Sequence, residues 1–383
     1  MQRLRAVLQH LGEGWSRTLA DASSRFGRLH RSTPDESVAT PMSAAVQRRR
    51  RRRGAFEADE APQAGGRWSR QAPARSERRR AAGFSFAATL LAVSACNYMP
   101  HAYEPHSPQI PESRTIPLPG AILTFVSEGS GQAIVFVHGN IADLRAWGEQ
   151  RGPALKQYQR VAYSRRYHYP NAWGGNGSDY TEFNNQQDLI HLIRELHLGR
   201  VNLVGEGSGA QIAAEVALSN PELVHTLVLV EPAMAEAAVG RPGFETFAAE
   251  RTQLAEQMQT AIRLDQHDKA AKLLFNWANA NPGAYDALPP PLQGEILDNV
   301  RVLPFFLAAR PPPVPCTTLA QLNVPTLVVT GEHSNPFFAA VADSVAGCVK
   351  GAVRQTIPNA NHLVQRDNPD AFNAQLVGFL TTH

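Results

Sequence analysis

The spacing of hydrophobic residues changes character along this chain. From residue 115 onward, short apolar runs alternate with stretches in which apolar residues recur every three or four positions. "AIVFVHG" (133–139), "RVAYS" (160–164), "VNLVG" (201–205), "TLVLVE" (226–231), "PTLVVTG" (325–331) and "VRQTIP" (353–358) have the length of strands. The first five are apolar almost throughout, as strands covered on both faces of a parallel sheet require. "QQDLIHLIRELHL" and "AQIAAEVALSN", which lie between them, carry helical spacing. This alternation predicts an α/β fold, a mainly parallel, doubly wound sheet with helices on both faces. No internal repeat is visible.

One interval breaks the rhythm. Residues 232 to about 315 lack a convincing strand and read as helical, first through "GFETFAAERTQLAEQMQTAIRLDQHDKAAKLLFNWANA", then through Pro-rich turns and "LQGEILDNVRVLPFFLAA". They are expected to form a helical lid inserted after a strand. The Phe and Leu stripe of this interval is read as packing, not as a cofactor site.

Composition separates the region before residue 115. Of the chain's 37 basic and 34 acidic residues, the first 95 positions hold 18 arginines, no lysine and 8 acids, a net of +10; the rest carries a net of −7. Residues 1–77, with the run Arg48 to Arg53, contain too few large apolar residues to offset the entropy of ordering, and a disordered basic segment is expected. Arginine runs can bind nucleic acid or anionic lipid. Their low specificity favours a solvated tail or an over-extended reading frame, so no nucleic-acid partner is assigned.

Residues 78–95 are more specific. Arg78 to Arg80 precede an apolar run from Ala81 to Ala95, which is short for a membrane span but suits a secretory signal. "Val93-Ser94-Ala95-Cys96" resembles the lipobox of bacterial lipoproteins, which implies a lipidated Cys96 and a chain anchored on the periplasmic side of the envelope. A Pro-rich linker, 96–114, would then lead to the globular domain, 115–383. Export leaves Cys316 and Cys348 as an even pair in an oxidising compartment, and a disulfide between them is expected.

The candidate chemistry centres on "LVGEGSGAQIA" (203–213), a strand, a glycine-rich turn and a helix. Hydrolases of the serine type place Gly-x-Ser-x-Gly in this setting. Here Gly205 and Gly209 flank Gly207, and the serine, Ser208, stands one position late.

With "FVHGN" before it, "LVLVEP" after it and "IPNANH" near the C-terminus, in that order, residues 115–383 resemble the α/β-hydrolase superfamily. Placement of the lid is similar to that of haloalkane dehalogenases, epoxide hydrolases and related esterases. The resemblance implies His362 as general base and backbone N–H groups of Asn140 and Ser208 as the oxyanion hole. It also makes Gly207 the nucleophile position, with Ser208 a nucleophile only if displaced. The usual acid after the seventh strand is replaced by Ser334, so Glu231, after the sixth, is the chosen acid and Glu332 the second choice. Arg165 and Arg166, after the fourth strand, are candidates to contact an anionic or aromatic ligand.

No cofactor and no metal are expected; a small molecule and a membrane are the anticipated partners, and the protein is expected to be a monomer. By resemblance the reaction is hydrolysis of an ester or similar small acyl compound, impaired by Gly207. The alternatives are a non-catalytic small-molecule-binding pseudoenzyme and, more remotely, an envelope interaction protein using the basic segment. One oxygen at position 207 is the expected deficit.

Overall fold

A computed structural model describes residues 112–309 and 311–383, together with His106 and Ile110. The basic segment, the signal-like segment, Cys96 and most of the linker lie outside the described residues.

Eight strands form one sheet: β1 (Arg114–Leu118), β2 (Ala121–Glu128), β3 (Ala133–Val137), β4 (Gln159–Tyr163), β5 (Val201–Glu206), β6 (Val224–Val230), β7 (Thr326–Gly331) and β8 (Val353–Ile357). Their order is β1-β2-β4-β3-β5-β6-β7-β8. β2 runs antiparallel to both its neighbours, and all pairs from β4 to β8 are parallel. This is the α/β-hydrolase fold, mainly parallel and doubly wound.

β1 and β2 have no counterpart among the six strands that the apolar runs predict. β1 lies at the sheet edge and is largely exposed, and Pro117 and Pro119 interrupt the apolar pattern around it. Such an edge strand lacks the two-faced burial that makes its parallel neighbours readable.

Alternation along the central strands builds two cores, one on each face. Val135 and Val137 of β3, Leu203 of β5 and Leu229 of β6 join Leu189, Ala213 and Val341, from the helices Glu182–Glu195, Ser208–Ser219 and Pro336–Cys348. Ile134, Phe136, Val204 and Val228 point the other way, to Trp147, Phe372 and Leu376 of the C-terminal helix Pro369–Thr382 and its neighbours. Each central strand is therefore apolar at every position for a simple reason: neither face meets water.

Between β6 and β7 the chain forms the helices Phe244–Arg263, His267–Ala278, Pro290–Leu297 and Leu303–Ala308. The long helical run of the sequence breaks at Leu264–Gln266, where Asp265 takes φ 57°. These helices have their own apolar cluster, built around Leu254, Met258, Phe275 and Leu303.

Cys316 and Cys348 are joined, with Cα atoms 5.1 Å apart. The bridge fastens the segment leading into β7 to the end of the helix Pro336–Cys348. It closes 32 residues of chain, a loop for which cross-linking contributes about 3 to 4 kcal/mol by limiting the unfolded ensemble. Replacing both cysteines by serine should lower the unfolding free energy by that amount, measured by urea titration with and without reductant. A variant as stable as the oxidised wild type would remove the bridge from the list of stabilising contacts.

Candidate functional site

The turn after β5 is shaped by its glycines. A Cβ on Gly205 would come within 2.3 Å of the Gly209 carbonyl oxygen, and one on Gly209 within 2.4 Å of the Val137 carbonyl oxygen. Strand β5, the start of the next helix and the end of β3 can meet only because these side chains are missing. Gly207 differs: a Cβ there would touch only the Gly139 Cα, at 3.8 Å. Its constraint is conformational, φ 59° and ψ −117°, a region in which a residue with a Cβ is strained.

Glu231 and His362 meet as the resemblance implies. Glu231 follows β6 and is fully buried, with φ 48°. Its Oε2 lies 3.0 Å from His362 Nδ1, while Oε1 accepts from the Gly331 N–H and the Ser334 hydroxyl, both at 2.7 Å. Ser334, standing where the family pattern has a carboxylate, is thus a hydrogen-bond donor to the carboxylate after the neighbouring strand. Glu332 is half exposed and accepts from the Asn359 N–H at 2.9 Å, away from the imidazole.

The second imidazole nitrogen has a partner that the sequence reading did not assign. His362 Nε2 lies 3.3 Å from Oε1 of Glu206, the last residue of β5. The other oxygen of Glu206 accepts from the Gly139 N–H at 2.8 Å. A carboxylate closing an apolar strand needs a compensating donor or charge. That requirement was visible in "VNLVGEG", whereas the identity of the partner was not.

His362 is therefore held between two carboxylates, its ring tilted over Phe338 at 4.4 Å. Burial by itself disfavours the imidazolium, but the hydrogen bonds and charges of Glu206 and Glu231 outweigh it and raise the imidazole pKa to about 10. Burial raises the carboxyl of Glu231 as well, against the lowering effect of His362. In this coupled group the proton rests on His362, since two acceptors face its two nitrogens.

Ser208 points elsewhere. Its hydroxyl donates to Asn140 Oδ1 at 2.7 Å, linking the two residues that the resemblance made oxyanion donors. The loop bearing Asn140 is braced from below. The Arg165 N–H donates to His138 Nε2 at 2.9 Å, leaving Nδ1 to donate to the Gly139 carbonyl at 2.8 Å. The Arg165 guanidinium reaches the same carbonyl at 2.7 Å.

Asn140, Glu206, Gly207, Ser208, Arg165 and His362 all line one cavity of about 310 Å³ beneath the lid helices. Glu231 lies behind His362 and outside the cavity lining. Arg166 departs from the expectation of ligand contact. It is bound through two nitrogens to Asp188, each at 2.8 Å, and to Asp179 at 2.7 Å, and it does not line the cavity. Buried with two carboxylates within reach, the guanidinium is held by the scaffold.

Fold and site together define a lidded α/β-hydrolase architecture. A sequence profile of the Alpha/beta hydrolase family matches residues 134–375, and the chain belongs to that family. It is 24% identical over 160 residues to the uncharacterized hydrolase YraK of Bacillus subtilis, a match covering 42% of this chain and 56% of YraK. It is 25% identical to the 2-hydroxy-6-oxo-6-phenylhexa-2,4-dienoate hydrolase of Burkholderia cepacia, over 66% of this chain and 88% of that one. Among solved structures it is similar to the enol-lactonase from Burkholderia xenovorans LB400, with a TM-score of 0.57 and 19% identity over 70% of this chain and all of the other. The carboxylesterase CesB from Bacillus subtilis gives a TM-score of 0.58 and 18% identity over 73% and 94% of the two chains. At such identities the structural likeness concerns the fold.

The clamp on His362 carries a pH signature. An unfolded histidine titrates near 6.5 and the folded one near 10, so the stabilisation is complete below about pH 6.5 and is lost as pH rises through 10. Thermal midpoints should fall between pH 7 and 10 in wild type and fall less in Glu206→Gln, which removes one of the two carboxylates. Parallel curves for the two proteins would show that Glu206 does not contribute to the shift.

Proposed function

We propose that this protein is a small-molecule-binding member of the α/β-hydrolase family whose capacity to hydrolyse esters or similar acyl compounds is strongly impaired. The observation that carries this reading is the pairing of His362 Nε2 with Glu206. In a serine hydrolase that nitrogen accepts the nucleophile's proton. Here it faces a carboxylate, and an imidazole whose pKa the two carboxylates raise to about 10 is held protonated at pH 7. Gly207 supports the same reading, because it offers no oxygen at the apex of the turn. So does Ser208, whose hydroxyl is committed to Asn140. The intact cavity supports ligand binding as the retained property.

The impairment is therefore twofold, and an oxygen at position 207 does not by itself repair it. Gly207→Ser supplies a hydroxyl at a backbone cost of about 1 to 3 kcal/mol, yet leaves a base that is protonated at neutral pH. Small-ester hydrolysis is the assay. Wild type should match the His362→Ala background at pH 7. Gly207→Ser should gain activity mainly as pH approaches 10, and Gly207→Ser with Glu206→Gln should exceed it at pH 7 by about tenfold or more. Efficient turnover by wild type that is lost in Ser208→Ala would instead make Ser208 a displaced nucleophile.

Localisation enters as a second part of the proposal. Cys96, preceded by a charged and then an apolar segment, is assigned as a lipid attachment point that tethers the domain to the envelope on the periplasmic side. The disulfide between Cys316 and Cys348 supports an oxidising compartment. Wild type should partition with membranes and Cys96→Ser should move to the soluble fraction. Equal partitioning of the two would end the lipidation proposal.

A further inference from the structure

The lid helix Phe244–Arg263 presents Arg251, Leu254, Ala255 and Met258 to the cavity, positions spaced as one face of a helix. Arg251 is the charged member of that otherwise apolar face. Three arginines line the cavity, and two are engaged: Arg165 with the Gly139 carbonyl at 2.7 Å, and Arg366 with Glu295 at 2.6 Å. Arg251 makes neither a hydrogen bond nor an ion pair among the described residues. Half-buried, it lies over the Phe337 ring, 5.6 Å from the guanidinium carbon, and the charge acting on it is that of the exposed Glu236. Burial lowers its pKa, as expected for a cation short of compensation.

The surroundings constrain what could supply that compensation. Trp277, Leu274, Phe275 and Phe338 line the same space, so the region near the guanidinium is mostly apolar. Trp277 packs on Phe337 at 5.3 Å, and its indole N–H is buried without a hydrogen-bond acceptor. Two donors thus flank one aromatic ring, with no protein acceptor for either. Arg366 pairs with Glu295 and Arg165 has the Gly139 carbonyl, so Arg251 is the lining guanidinium without an acceptor, which an anionic group of the ligand would supply.

From this geometry we infer that the cavity binds an organic monocarboxylate with an apolar body, its carboxylate paired with Arg251 and its body against the lid helices and Trp277. A guanidinium matches a carboxylate in a two-bond fork, and the low-polarity walls strengthen that pairing. The inference rests on the small-molecule-binding reading above and adds the chemical class of the ligand. It is independent of the chemistry at Gly207, because Arg251 stands on a lid helix and not in the turn after β5.

The test is calorimetric titration of octanoate and of its neutral counterpart octanamide into wild type, Arg251→Met and Arg251→Lys, with circular dichroism to verify that each variant is folded. Octanoate should bind wild type at least tenfold more tightly than octanamide does. Arg251→Met should weaken octanoate tenfold or more and leave octanamide unchanged, and Arg251→Lys, which keeps the charge but not the fork, should recover only part of the lost octanoate affinity. Equal octanoate affinity in wild type and Arg251→Met, or octanamide binding wild type as tightly as octanoate, overturns the assignment of the anion. In those cases a binding cavity remains and the broader functional reading survives. Absence of saturable binding of either compound to wild type overturns both.

Discussion

Three ionisable groups are taken out of water at the carboxyl end of the sheet, and the arrangement of that end follows from keeping them compensated. Glu206 closes β5, Glu231 follows β6, and His362 lies in the loop after β8. None could be buried alone at acceptable cost, but together a protonated imidazole faces two carboxylates whose remaining oxygens accept from Gly139, Gly331 and Ser334. The loops after β3, β5, β6, β7 and β8 are all drawn into this one set of hydrogen bonds. Loss of a single partner leaves an uncompensated buried charge, which is far more disruptive than removal of an exposed pair.

The same compensation opposes general-base catalysis. A base has to be free at one nitrogen and titrate near the working pH, whereas His362 is occupied at both and titrates far above neutrality. Stability of the charged cluster and availability of the imidazole pull in opposite directions. In this chain the geometry favours the cluster. The cavity next to it does not depend on the proton's position, so the proposed binding function is compatible with a clamped imidazole.

Much of this was legible in the sequence because parallel strands buried on both faces leave continuous apolar runs, and five such runs became β3 to β7. β1 and β2 were not legible in the same way, since an edge strand with prolines about it has neither a continuous run nor a clean alternation. Positions 207, 231 and 362 could be named from motif order and loop placement. The role of Glu206 could not, because it depends on the direction in which one carboxylate leaves a strand end. Arg166 failed as a ligand candidate for a related reason: periodicity does not reveal that Asp179 and Asp188 close upon it. Arg251 was passed over in a helix read simply as packing, although its place on the face shared by Leu254 and Met258 was present in the spacing.

The bond from Ser334 to Glu231 joins two positions on adjacent strand ends, and it ties the choice of side chain at one to the choice at the other. With Glu231 ionised, position 334 is suited by a side chain that donates. A carboxylate at 334 would set two acids face to face, a pair that relieves itself by sharing a proton, while loss of Glu231 would leave the imidazole with Glu206 alone.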